Sequence, residues 1–179
     1  MRFAALLAAV LVPLTAQEIK MPPGLDKLAA KAEESVDITL DSSMLRMAAR
    51  FLSDKDADEA LARKAISGLR SITVHSFQFA NDGQYDPADV AAIRSQLQAP
   101  PWSRMLGVKS RSTGEDVDIY FKVDAGGQLG GIFLLCAAPR ELTLVSLVGT
   151  IDPEHLADLG GQFHIPALDF DYHRFRGAK

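Results

Sequence analysis

The run Leu129 to Ala137 (LGGIFLLCA) is apolar on both of its alternating faces, which predicts a strand in the interior of a sheet with material packed above and below it. Its neighbours alternate instead. Val117, Ile119, Phe121 and Val123 interleave with Asp116, Asp118, Tyr120 and Lys122, predicting a strand with its apolar side buried and its polar side in water. Asp124-Ala125-Gly126-Gly127 and Pro139-Arg140 are turn sequences, and Glu141 to Val148 supplies another strand. With Arg104 to Arg111 and the turn Ser112-Thr113-Gly114 in front, the block reads as an antiparallel meander.

Upstream the period changes. Leu25, Leu28, Ala29 and Ala32 recur at helical spacing over Leu25 to Glu34, whereas Val36, Ile38 and Leu40 alternate with polar residues as a strand with one buried face. After an Asp41, Ser42 or Ser43 cap, Met44, Leu45, Met47, Ala48, Phe51 and Leu52 form a broad helical stripe expected to face the core. Asp56 and Glu59 resemble a capping box opening the next helix, which Gly68 ends. In Ser71 to Phe79, Ile72 and Val74 share one face while Phe77 and Phe79 take the other. Either both faces are covered or a bulge lies near His75-Ser76. Asp86-Pro87-Ala88-Asp89 starts a helix with Val90, Ile93 and Leu97 inward, and Asp152-Pro153-Glu154 repeats the same start.

The expected fold is α+β: a mixed, mainly antiparallel sheet of about five or six strands with helices packed against it. At 179 residues the chain fits one domain, taken as 17–166, followed by a loose tail over 167–179. Residues 1–16 have a positive charge at Arg2, an apolar run from Phe3 to Leu14, and small residues at Thr15 and Ala16. That is the order of a signal peptide, and the run is shorter than the ~20 residues of a permanent span. Export to the periplasm or beyond is the expectation, with cleavage after Ala16 and no stable membrane span. No Cys stands at the cleavage point to carry a lipid.

The net charge of −4 gives no basic footprint for nucleic acid. Cys136 is the one cysteine, so an internal disulfide and a thiolate metal cluster are both excluded. Its apolar setting suits a buried hydrophobe. His155, His164 and His173 are nine residues apart, and neither HExxH nor GxSxG occurs. In an extended tail Asp169, Asp171 and His173 would share one side, but such a terminus is more often solvated. Gly126-Gly127 and Gly130-Gly131 fit turns and close strand packing better than a phosphate loop. Asp116 and Asp118 share a strand face and with a histidine would make a hydrolase-like set; an ordinary polar face explains them more simply. No catalytic residue, cofactor or metal ligand is assigned. The candidate partner contact is Trp102 with Arg104, near Tyr85 if the loops meet, against the simpler reading of Trp102 as a core plug.

GLDKLAAKAEESVDITLDSSMLRMAARFLS, HSFQF, IRSQLQAPPWSR, GGIFLLCAAPRELTLVSLVGTID and GGQFHIP together resemble the bacterial exported family known as domain of unknown function 4252, over about Leu25 to Pro166. The resemblance implies export and this fold, and carries no catalytic signature. Some members look like lipoproteins or are encoded beside sigma-factor regulators. The expected function is a non-enzymatic binding or interaction module of the cell envelope, with an unknown protein or small molecule as partner. The alternatives are the hydrolase built on Asp116 and Asp118 and a regulator in a cell-surface sigma-factor pathway.

Overall fold

The computed structural model describes residues 19–152 apart from Pro22, Pro23 and Ala125. The expected signal segment, the tail, the helix start at Asp152-Pro153-Glu154 and three of the four histidines therefore lie outside the described residues, wholly or in part.

Among the described residues six strands form one sheet: β1 (Glu34–Asp41), β2 (Leu69–Gln78), β3 (Trp102–Lys109), β4 (Asp116–Val123), β5 (Leu129–Ala138) and β6 (Glu141–Gly149). Their order is β1-β2-β6-β5-β4-β3, and every neighbouring pair is antiparallel. Strands β3 to β6 are the predicted meander. Its last strand docks on β2, which places the doubly apolar β5 inside the sheet. Phe133, Leu135 and Ala137 are buried on one face of β5, Leu134 and Cys136 on the other.

Among the described residues three α-helices accompany the sheet: α1 (Ser42–Phe51), α2 (Ala57–Ser67) and α3 (Pro87–Leu97). Each starts at an aspartate whose carboxylate accepts first-turn amides, at Asp41, Asp56 and Asp86. Helix α3 lies in the connection that carries the chain from β2 to β3 at the far edge. It delivers Val90, Ile93 and Leu97 to a core that includes Phe77, Phe133, Leu135, Leu142 and Leu144. Leu25 and Leu28 join this core from a single 3-10 turn, Leu25–Lys27, in place of the longer helix expected there. The α3 face of the sheet is therefore the thick side of the core.

Several expectations are corrected. The α1 stripe does not face the core: only Leu45 is buried, while Met47 is 58% and Phe51 82% exposed. Helix α1 packs against α2, the outer strand β1 and its neighbour β2, and a helix at a sheet margin has too little surface opposite it to cover six apolar side chains. Val36 and Ile38 are likewise exposed, because β1 is an outer strand. The capping box is incomplete, since Glu59 accepts from the Ser53 amide rather than reaching back to Asp56. No bulge occurs at His75-Ser76. The register there is regular, both faces of β2 contribute apolar residues, and the irregularity sits at Leu69/Ser71.

Candidate functional site

The alternation of β4 is correct and its polarity is reversed. Asp118 is 1% exposed and Tyr120 is buried with it, beneath α3, while Val117, Ile119 and Phe121 on the opposite face are only half-buried. Burying a carboxylate costs several kcal/mol unless cations and hydrogen bonds replace its water. Two arginines do so here. Arg94, beside Ile93 on α3, donates Nε to Asp118 Oδ2 at 2.7 Å, and Arg104 on β3 donates Nε to Oδ1 at 2.7 Å with Nη2 also paired to Oδ1. Asp116, two residues earlier on the same face, has Arg94 Nη2 at 2.8 Å and Lys109 Nζ at 3.5 Å. That Nη2 is buried and is not aimed along a hydrogen bond, so its contact with Asp116 is ionic. Desolvation lowers the Arg94 pKa, but the two carboxylates outweigh it and the net shift is upward. Burial raises the Tyr120 phenol, helped by the Asp118 charge.

These groups line a cleft of about 550 Å³ between the C-terminal half of α3 and strands β3 and β4. Its walls carry Arg94, Arg104 and Lys109 against Asp116 and Asp118, an excess of one positive charge by count. Leu97, Trp102 and Tyr120 give it an apolar side. Trp102 belongs to both readings made from the sequence: it is buried in the core, edge-on to Phe133 at 6.5 Å, and it also borders the cleft. Its ring lies over Gly131, where a Cβ would come within 3.3 Å of it, and Lys122 Nζ stands 5.9 Å from its centroid. Arg104 is beside it on β3, half-exposed. Tyr85 does not join them; it packs on Phe79 and donates its hydroxyl to the Ala138 carbonyl at 2.7 Å.

The register also places His75. Asp37, His75, Leu144, Leu135, Asp118 and Gly107 form one row across the sheet, so two leucines separate His75 from Asp118. Three strand spacings make that roughly 14 Å, too far for proton transfer. His75 faces Asp37 at 3.4 Å instead. The alternative hydrolase set thus does not assemble from the described residues, and both of its carboxylates are held by cations. Among the described residues no group of three or more His, Cys, Asp and Glu could hold a metal. Arg94 was the residue sequence reasoning missed. Its signal was an arginine directly after Ile93 on the buried side of a helix, facing a strand with two aspartates.

Fold and site define an α+β domain with an ion-bridged cleft on the helix-covered face of an antiparallel sheet. The chain belongs to the family described as Domain of unknown function (DUF4252), whose model matches residues 30–159. No curated protein and no solved structure matches it.

Proposed function

We propose that this chain is an exported, non-enzymatic binding module of the cell envelope, and that it takes an acidic group of a protein or small-molecule partner at the cleft bordered by Trp102 and Arg104. The reading is carried by one observation: the buried Asp118 fixes two guanidinium groups in the cleft wall while the side chain of Arg104 remains 54% exposed. A guanidinium held on one side by a carboxylate presents its remaining N–H groups in a set direction, so an incoming carboxylate meets a donor already ordered. Export is supported by the charged, apolar and small-residue order of the first sixteen residues. Among the described residues no helix is long and apolar enough to cross a membrane.

Trp102 is the sole tryptophan, so its emission reports on the cleft directly. Titration with a tetraglutamate peptide or glutarate should change that emission saturably, less so at high salt, and not in Arg104→Gln. An unchanged spectrum with both probes up to about 10 mM, a regime of negligible affinity, overturns the cleft reading. Export is tested separately by the N-terminus of the protein recovered from the envelope fraction, expected at Gln17.

A further inference from the structure

The two outer strands of the sheet are opposites. Strand β1 carries Glu34, Asp37 and Asp41 with no Lys or Arg, and β3 carries Arg104 and Lys109 with no Asp or Glu. The register puts Asp37 and Asp41 on the α3 face of β1, and Arg104 and Lys109 on the same face of β3. On the other face both edges are apolar and partly bare: Ile38 is 41% exposed on β1 and Leu106 38% on β3.

Direction matches as well. Five successive antiparallel pairings leave β1 and β3 running in opposite senses, so a second molecule offering β1 to β3 of the first continues the sheet as a sixth antiparallel pair. In that continuation the aspartates of one edge face the basic residues of the other, and Val36 and Ile38 lie beside Leu106 and Val108. Pairing β1 with β1, or β3 with β3, opposes like charges instead. The register shift between Arg104 and Leu106 confines regular pairing on β3 to Leu106–Lys109.

We infer that the acidic β1 edge of one copy of this chain docks on the basic β3 edge of another, joining copies into a continuous antiparallel sheet. The contact is heterologous, so each added copy leaves one free edge of each kind. The product is a concentration-dependent series of oligomers rather than a closed dimer. This goes beyond the cleft reading and stands without it, because it rests on the backbone edges and charges of β1 and β3, although Arg104, Gly107 and Lys109 of β3 also border the cleft.

The test is sedimentation of the full chain, purified as the cell processes it, over a range of concentration and salt. Wild type should form a growing series that shortens as salt rises. Asp37→Lys and Lys109→Glu change side chains that are 74% and 75% exposed, so both variants should fold. Each alone should need roughly tenfold more protein to associate, one unit of log K. An equimolar mixture should restore the series, because every junction then joins a Lys to an Asp or Glu. A wild type that stays monomeric throughout, single variants that associate like wild type, or a mixture no better than its parts overturns the inference. A mixture that stops at a dimer also overturns it, since it points to like edges pairing, β1 with β1 or β3 with β3, where the mixture also joins opposite charges. If the oligomers form while tetraglutamate leaves Trp102 unchanged, the cleft reading falls and this one remains.

Discussion

The guanidinium of Arg104 lies across Gly107, three residues further along β3, so closely that a Cβ at position 107 would overlap it. The glycine is the space through which Arg104 reaches Asp118 in the row below the helix.

Gly107→Ala should therefore expel Arg104 from its bridge. Removing a strand glycine gains about 0.5–1 kcal/mol, while losing a half-exposed partner of a buried carboxylate costs about 2 kcal/mol. The loss wins by about 1 kcal/mol, measurable by urea denaturation. Arg104→Gln should remove most of this effect, so that adding Gly107→Ala to it costs nothing further. Additive losses would show that the glycine serves the backbone alone.

Asp118→Asn leaves two guanidinium groups without their shared charge and should cost about 3 kcal/mol, a drop of roughly 10 °C in Tm. The triple change Asp118→Leu, Arg94→Met and Arg104→Met should recover most of that stability, since apolar replacement of a buried ion triad is about neutral. A recovered Tm together with loss of any Trp102 response would assign the bridge to binding rather than to folding.

Cys136 tests the interior of the sheet. Burial, with Glu141 nearby, pushes its thiol from 9.0 up to about 12. The native protein should resist iodoacetamide at pH 8 and react once unfolded. Because the folded state resists the thiolate, the unfolded chain releases this proton first. The cysteine therefore lowers stability as pH rises through 9, and does so increasingly until about 12. Comparison of wild type with Cys136→Ala across that range isolates the effect.

The exposed stripe of α1 makes the opposite claim about burial. Met47→Gln and Phe51→Ser should each change stability by less than about 0.5 kcal/mol, whereas Ile93→Ala, at a fully buried position on α3, should cost about 3 kcal/mol. Equal losses on the two helices would mean that Phe51 is covered in solution.

The alternation of β4 and the double apolarity of β5 were legible because strand period and hydropathy are local. Which side of β4 met the core was not. Asp118 can be buried only because Arg94 and Arg104, 24 and 14 residues away along the chain, converge on it, and no local pattern encodes that meeting. The same limit explains α1. Met44, Met47 and Phe51 have the spacing of a core face, but the strands below them form the margin of the sheet. The sequence alone singled out Trp102 and Arg104, which border one cleft, and missed Arg94, the arginine on α3 that lines the same cleft.

The seam between β2 and β6 has a kinetic consequence. Ser76 and Thr143 share a hydroxyl hydrogen bond at 2.8 Å across a separation of 67 residues, whereas β3 to β6 are joined by short turns. Closing long loops precedes any reward from the contacts they make, so the four-stranded half can assemble from neighbouring hairpins while the seam must wait for a distant encounter. Until it closes, β6 offers the apolar flank that β2 will occupy to any passing strand, and the interval between those two events sets how long this chain is vulnerable to misassembly.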